Sequence, residues 1–378
     1  MFSSSSEMGI AMATPALIIL GFFLIYKIYL LLSPNRMKRM MQSQGIPGPK
    51  PMFLLGNVVE MKTIIRKAAS MESPAPHNLE PRFVPYFVEW RKQYGKRFVY
   101  WLGSEAVLHV QEPELIQEIS SSGSLNWGRP AFLKSDRFPL FGNGLIMAED
   151  QDWIHQRRIV STALTAEKVK GMLASVVEAT VPILNDWSMK IKEGDESSVE
   201  VDVDGSLNKI TAQVISKFLF GSNYQKGFEV LHKLKVLQQT LFEATRFAGI
   251  PGSKYIPSAG NIKVRKLGQE ADSIIMEIIR LRKERKNAGT GYGEDLLGIL
   301  LEQVEANVVT TQDVLDQCKT LLIAGQETTK LSLTWTLMLL AMNAQWQEKV
   351  RAEVMEITNG ELPDISMFSK MKTVTISF

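Results

Sequence analysis

The chain has 378 residues, of which 45% are hydrophobic and 22% are charged, enough to bury the core of one large domain or two smaller ones. The formal net charge is only +3, and the basic residues are scattered among acidic ones, which excludes the clustered cationic face of a nucleic-acid-binding protein. Cys318 is the single cysteine, so an intrachain disulfide and a multi-cysteine zinc site are also excluded. A reducing compartment fits this composition best.

A hydrophobic segment near the N-terminus, from about Met8 to Leu32, is predicted to be a membrane-spanning helix. No charged residue lies between Glu7 and Lys27, and a helix rising about 1.5 Å per residue over this run crosses a hydrocarbon layer of ~30 Å. The basic stretch Arg36–Arg39 follows directly, so the positive-inside bias predicts that the body lies on the cytoplasmic side. A cleaved signal peptide is the alternative, but the segment lacks a basic n-region and a small-residue cleavage pattern.

A proline-rich linker, a short aromatic helix and a hairpin are predicted next. The prolines of Gly45–Pro51 fix φ and disfavour helix in the residues before them, which indicates a stiff elbow. Aromatic residues then recur at spacings of four, three and four, which predicts an amphipathic helix that stops at Gly95. The β-rich runs RFVYWLG and AVLHV, separated by Ser104-Glu105, predict a hairpin. The four aromatic residues are Phe83, Phe87, Trp90 and Tyr94.

From Pro113 onward, nearly every long segment has the apolar period of a helix. The basic run Arg280–Lys286 is interpreted as a solvated helix end before a glycine-rich loop rather than as a binding patch. The main predicted helices are Val169–Ile191, Leu207–Leu219, Gly227–Arg246, Val264–Lys283 and Gln312–Met342.

The longest predicted helix contains an unusual polar segment, Ala324-Gly325-Gln326-Glu327-Thr328-Thr329. Thr310 and Asp313 are predicted to cap the start of this helix. Glycine and threonine weaken a helix, so we expect it to open or bend at this segment and leave a groove for a planar ligand. A hydroxyl and a carboxylate beside that groove could pass protons. Tight helix packing across Ala324-Gly325, with a satisfied threonine, is the equally weighted alternative.

A second segment with chemical character contains Trp153 and Arg157, just after the turn Gly142-Asn143-Gly144. Because these two residues are four apart on a helix, the indole N–H and the guanidinium fork point the same way, a geometry suited to carboxylates. A structural cation–π pair is the alternative interpretation.

Taken in this order, the anchor, the elbow, WxxxR at Trp153–Arg157 and AGxETT at Ala324–Thr329 resemble a microsomal cytochrome P-450, a heme-thiolate monooxygenase. The run Trp335–Val354 continues in the manner of the family's following helix. RKQYGKRF and ATRFAGIPGSKYIP are similar to the plant members that resemble cytokinin hydroxylase. The implied fold is mainly α with a small β-sheet region, incomplete at the C-terminus, plus one N-terminal transmembrane helix. The implied divisions are an anchor at residues 1–33, a basic and proline-rich linker at 34–52, and a partial monooxygenase domain at 53–378.

The resemblance also implies roles for particular residues. Trp153 and Arg157 would bind a heme propionate, Ala324 and Gly325 would flank the heme and oxygen pocket, and Glu327 with Thr328 would deliver protons to iron-bound dioxygen. No metal-ligating residue is assigned. The implied cofactors are heme, dioxygen and NADPH supplied through a reductase partner. A small hydrophobic or amphipathic molecule, such as a plant hormone, would be hydroxylated at the cytosolic face of the endoplasmic reticulum membrane, with no nucleic-acid partner.

The family's later motifs are absent from this sequence. Relatives continue past the region of Met371–Thr375 into an ExxR helix and a FxxGxRxCxG loop whose cysteine binds the iron, whereas this chain ends at Phe378. Cys318 lacks the loop that would aim a thiolate at iron and is predicted to be a small core residue. We therefore expect an inactive, truncated chain; a non-catalytic membrane-bound isoform that competes for partners is the alternative. The face of Gln312–Met342 that relatives bury is expected to be uncovered.

Overall fold

The computed structural model describes residue 21 and residues 36–70, 80–122, 128–193, 199–244 and 255–377. The predicted membrane anchor, Met8–Leu32, lies outside these ranges apart from Gly21. Of the helices within them, none has the length and apolar character needed to cross a membrane. The chain divides into two compact units: unit 1 comprises residues 1–136 and 243–261, and unit 2 comprises residues 137–242 and 262–378.

Unit 1 contains short helices and one antiparallel hairpin, in which Arg97 pairs with Val110 and Leu102 with Glu105. The hairpin is confirmed, although Glu105 belongs to the second strand and the turn is Gly103-Ser104. Residues 36–43 are also helical. The elements are α1 (Val58–Ala69), α2 (Glu80–Phe83), α3 (Pro85–Tyr94), β1 (Arg97–Leu102), β2 (Glu105–Val110) and α4 (Pro113–Ser121).

The predicted aromatic helix is two helices, because the chain leaves the helical conformation at Val84 and restarts with Pro85. Proline suits the first turn of a helix, where its missing N–H would have no partner. Phe83 is consequently 66% exposed, whereas Trp90 is buried and its indole N–H donates to Glu60 Oε1 at 3.0 Å. The predicted stop at Gly95 is confirmed, with φ +88°.

The proline-rich elbow packs against strand β1. The amide of Val99 donates to the carbonyl of Pro47 at 2.9 Å. A Cβ on Gly48 would lie 1.9 Å from the carbonyl oxygen of Val99, so only glycine permits this approach. The elbow is therefore fixed to unit 1 by backbone contacts.

Most of unit 2 is helical, and its core consists of aliphatic side chains from several helices, among them Leu234, Ile275, Leu297 and Val314. The elements from the unit boundary onward are α5 (Ala131–Phe141), α6 (Asp150–Ala163), α7 (Ala166–Gly171), α8 (Leu173–Glu193), α9 (Val203–Phe220), a 3-10 turn (Gly221–Asn223), α10 (Tyr224–Ala244), α11 (Ala259–Asn287), α12 (Leu296–Glu305), α13 (Thr311–Met342), α14 (Ala344–Thr358), α15 (Ile365–Phe368) and α16 (Lys372–Ser377).

One long helix was predicted wrongly: the segment Val169–Ile191 is interrupted at Met172, between α7 and α8. The Thr165 side chain accepts from the amide of Lys168, so α7 has its own N-terminal cap. The other main helices are confirmed, and three of them are longer than predicted at one or both ends. The predicted helix Gly227–Arg246 begins earlier, at Tyr224, and is described as far as Ala244, because Arg246 lies outside the described residues. Mainly helical architecture with a small two-stranded sheet is thus confirmed for the described residues.

Candidate functional site

The polar segment lies in the middle of α13, a helix whose start is fixed by a reciprocal cap. The amide of Asp313 donates to Thr310 Oγ1 at 3.1 Å, and the amide of Thr310 donates to Asp313 Oδ2 at 2.8 Å. The predicted capping pair is therefore confirmed. Beyond it, Val314, Cys318 and Leu322 are fully buried in the core of unit 2.

The helix does not open at the polar segment, so that half of the expectation was wrong, and the alternative of a bend stays a prediction. The structure has continuous α-helix from Thr311 to Met342. The Thr328 hydroxyl donates to the carbonyl of Ala324 at 2.6 Å, one turn earlier, which satisfies the hydroxyl without breaking the helix. Thr328 is exposed, and its hydroxyl oxygen keeps its lone pairs for a further donor.

Gly325 lies at a close contact between α13 and α9. A Cβ added there would lie 2.5 Å from Ile215 Cδ1. One residue further on, Gln326 is buried and its amide donates to Asn208 Oδ1 at 2.6 Å. These contacts match the helix-packing alternative for Ala324-Gly325, with glycine serving close approach between two helices.

Glu327 faces the edge of the same contact. Its Oε1 lies 3.4 Å from Nζ of Lys330, a buried lysine that also lies 3.3 Å from Asp204 Oδ1 on α9. Because the Glu327 side chain is 31% exposed and Lys330 Nζ is shared with Asp204, the carboxylate can reach solvent while remaining tethered. Glu327 and Thr328 are consecutive residues whose side chains have separate partners, Lys330 for the carboxylate and the Ala324 carbonyl for the hydroxyl.

The face of α13 that begins at Thr328 is apolar and exposed. Side chains three and four residues apart continue along it to the end of the helix: Leu331 is 42% exposed, Trp335 45%, Met338 41% and Met342 65%. The N-terminal half of the helix is buried in unit 2, so the two halves differ sharply in their surroundings. An uncovered apolar face was expected here, and the structure has one.

Trp153 and Arg157 lie on one side of α6, as their spacing predicts. The guanidinium carbon of Arg157 is 5.4 Å from the centroid of the Trp153 ring, so the cation–π alternative describes their contact. Arg157 is exposed, and its guanidinium donates to no acceptor among the residues that the structure describes. The fork is therefore still available to bind a carboxylate.

A polar clamp connects this helix with α13, and its residues were not predicted from the sequence. Gln156, beside Arg157, accepts from Gln317 Nε2 on α13 at 2.5 Å and donates to the carbonyl of Asn143 at 3.0 Å. The amide of Asn143 donates to Asp316 Oδ2 at 2.8 Å. Asp316 and Gln317 are both buried. The clamp thus ties the helix that carries Trp153 to the helix that carries Ala324–Thr329.

The glycines of the turn before α6 are the sequence feature from which this clamp could have been predicted. Gly142 has φ +55°, and a Cβ on it would lie 2.0 Å from the Asp316 carboxylate. A Cβ on Gly144 would lie 2.2 Å from the hydroxyl oxygen of Thr320. Two glycines pressed against one helix show that the turn closely approaches α13.

No iron ligand is found among the described residues. Cys318 is fully buried, and burial, with a smaller effect of Asp295 and Asp316, raises the pKa of its thiol to about 12. Burial therefore favours the neutral thiol. The ring of His155 lies 3.2 Å from the carbonyl of Val308, and the described residues contain no group of three His, Cys, Asp or Glu side chains that could hold a metal. The prediction that Cys318 is a small core residue is confirmed.

Comparison with known proteins gives the family. The sequence profile of the family "Cytochrome P450" matches residues 47–376, which is the chain apart from its first 46 and last two residues. The chain belongs to the cytochrome P450 family. Two cytokinin hydroxylases of Arabidopsis thaliana are 38% and 37% identical to it, each over 91% of this chain, and the chain covers 68% and 67% of those proteins. Cytochrome P450 714C2 of Oryza sativa subsp. japonica is 32% identical over 98% of the chain and 73% of its own length.

Membership brings the cofactors of the family: heme, dioxygen and NADPH delivered through a reductase. The fit of the described residues to heme is partial. The free guanidinium of Arg157 beside the Trp153 indole suits a carboxylate of the macrocycle. Within the described ranges the iron has no fitting ligand, because the single thiol, on α13, is buried in the core of unit 2.

Proposed function

We propose that this P450 chain belongs to an enzyme that hydroxylates a small hydrophobic or amphipathic molecule of the plant-hormone class. The names of the two relatives with 38% and 37% identity support this substrate class. We propose further that the 378 residues alone do not catalyse the reaction, because Cys318 cannot supply a thiolate to iron. The complete burial of the Cys318 side chain in the core of unit 2 is the observation that carries the second part.

A carbon-monoxide difference spectrum tests the proposed inactivity. The full chain is expressed with excess heme precursor, reduced and exposed to carbon monoxide. We expect no band of a thiolate-ligated heme, for the wild-type chain and for Cys318→Ala alike. A thiolate band in the wild type that disappears in Cys318→Ala would show that Cys318 binds iron and would contradict the proposal.

Within the site, Trp153 and Arg157 are proposed to bind a heme propionate, and Ala324 and Gly325 to flank the pocket. The free guanidinium supports the first assignment. The second rests on membership of the family and on the resemblance of Ala324–Thr329 to its AGxETT motif, since Gly325 itself packs against Ile215. Hemin titration followed by tryptophan fluorescence tests the propionate contact. Arg157→Gln should weaken hemin association several-fold, whereas Arg158→Gln, the same change at the next exposed position, should not. Equal affinities of the two variants would argue against the assignment.

Glu327 and Thr328 are proposed as the residues that move protons. Their support is the tethered, partly exposed carboxylate and the exposed hydroxyl, which lie next to each other on α13. In an active P450 formed by joining residues 1–375 to the C-terminal part of a relative, Thr328→Val should uncouple NADPH consumption from product formation. Unchanged coupling would count against the role.

The chain is also proposed to be anchored in the endoplasmic reticulum membrane by residues 1–33, with residues 34–52 as linker and the body facing the cytosol and a reductase. The uncharged run and the basic stretch Arg36–Arg39 support this orientation. In intact microsomes, added protease should digest the body and spare a short N-terminal fragment. Protection of the body would place it in the lumen and refute the orientation.

A further inference from the structure

The basic run Arg280–Lys286 is not simply a solvated helix end, because Arg282 is buried. Its side chain is 4% exposed and forms a forked ion pair with Asp295, the N-cap residue of α12. The guanidinium also donates to the carbonyls of Tyr292, at 2.5 Å, and Phe220, at 2.6 Å. Its Nε is buried without a hydrogen-bond partner among the described residues. This part of the sequence interpretation was wrong, since the partners of Arg282 are brought in from other elements.

An open cavity of about 530 Å³ lies beside Arg282. The 3-10 turn supplies Ser222, the last turn of α11 supplies Arg285, and the glycine-rich loop before α12 closes the rest. None of these residues belongs to the candidate P450 site. A cavity of this volume is large enough for a small organic ligand.

The lining carries one unbalanced positive charge. It contains two arginines and one carboxylate, and the carboxylate of Asp295 is already paired with Arg282. Arg285 is exposed, and its Nη1 donates a hydrogen bond to Ser222 Oγ at 2.9 Å. Its remaining N–H groups can therefore reach a ligand in the cavity, where they favour an anion.

Backbone amides add further donors. The loop glycines Gly289, Gly291 and Gly293 have φ values of +89°, +70° and +94°. Within the described part of the chain, the amides of residues 291–293 donate to no acceptor. Successive free amides in a glycine-rich turn form a concave anion-binding surface.

We propose that this cavity binds the phosphate monoester group of a small organic molecule. Arg285, Ser222 and the loop amides offer more hydrogen-bond donors than the two oxygens of a carboxylate can accept. A phosphate monoester has three terminal oxygens and a charge of about −1.5 to −2, so it can use more of these donors. Tyr292 and Ala288 also line the cavity and provide apolar surface for the rest of the molecule. The site does not depend on heme or on the proposed reaction.

Isothermal titration of the full chain in detergent with phenyl phosphate tests the proposal. Arg285→Gln should weaken binding at least tenfold, because it removes the unbalanced guanidinium. Arg280→Gln is the matched control: it makes the same change on the same helix, at an exposed residue paired with Glu284, and should leave the affinity unchanged. Equal melting temperatures of the two variants establish that both are folded.

Benzoate, which carries a carboxylate on the same ring, should bind at least tenfold more weakly than phenyl phosphate. A short-chain phosphatidic acid, titrated below its micelle concentration, distinguishes the source of the phosphate: Arg285-dependent binding tighter than that of phenyl phosphate identifies a lipid headgroup, and weaker binding identifies a soluble ester. No binding of either phosphate, unchanged affinity in Arg285→Gln, or an equal loss in Arg280→Gln would overturn the proposal.

Discussion

At the scale of single residues, His109 on β2 is held between two aromatic rings. Its ring centroid lies 4.6 Å from that of Phe87 and 4.5 Å from that of Phe98, and its Nε2 is buried without a partner among the described residues. Burial lowers the pKa of His109, and the charge of Arg91 lowers it further, partly opposed by Glu80. The neutral imidazole is therefore the form that the fold favours.

This arrangement predicts acid sensitivity. Because the folded pKa of His109 lies below the ordinary value of about 6.5, the unfolded chain binds more protons in this range, and folding stability falls as pH drops below 6.5 through the folded pKa. In thermal unfolding followed between about pH 5 and 7.5, His109→Phe should flatten the acid dependence. His232→Gln removes an exposed imidazole and should leave it unchanged. An identical acid dependence in wild type and His109→Phe would contradict the prediction.

Contacts between residues close in sequence were predictable, whereas contacts between residues far apart in sequence were not. The pairing of Thr310 with Asp313 was predictable, because both partners lie within one turn of each other. The burial of Arg282 was not, because its partners lie 13 and 62 residues away in the chain and only the fold brings them together. The contact of Asn143 with Asp316 could not be predicted for the same reason, because these residues are 173 positions apart in the chain.

At the scale of elements, long periodic segments were predicted correctly and interruptions were not. α13 combines a capping box with an apolar stripe over many turns, so its bounds differ from the predicted ones by one residue at the start. The breaks at Val84 and Met172 fall inside apolar periodicity, so the hydrophobic pattern continued across them even though Pro85 and Gly171 directly adjoin them. Conversely, Pro182 lies inside α8 without ending it. Local propensity is overridden here by packing.

The contact between the turn at Gly142 and α13 yields a stability prediction. Alanine at this position would have to adopt φ +55° and displace the buried Asp316 carboxylate, so Gly142→Ala should destabilise unit 2 by about 1–3 kcal/mol or more. Gly171→Ala is the matched control, since nothing lies within 4 Å of its Cβ position, and its effect should stay within about 0.5 kcal/mol. Denaturant unfolding measures both; equal midpoints for the two variants would show that the clamp tolerates displacement.

At the scale of the whole chain, the C-terminal half of α13 presents an apolar face that the described residues leave exposed. Its stripe of Leu331, Trp335, Met338 and Met342 continues into α14, where Trp346 is 44% exposed. Exposed apolar patches of more than a few hundred Å² mark partner surfaces or promote aggregation. The candidate proton-transfer residue Thr328 lies at the start of this face.

We therefore expect a version lacking residues 1–33 to self-associate, even though the hydrophobic N-terminal segment has been removed. The triple substitution Trp335→Gln, Met338→Gln and Met342→Gln should reduce self-association, because it makes the α13 face polar. The matched control changes three exposed apolar residues of α8 in the same way, Leu184, Met189 and Ile191, and should have little effect. Size-exclusion chromatography with light scattering measures the outcome. A monodisperse, cooperatively melting wild-type version would show that the α13 face does not drive association.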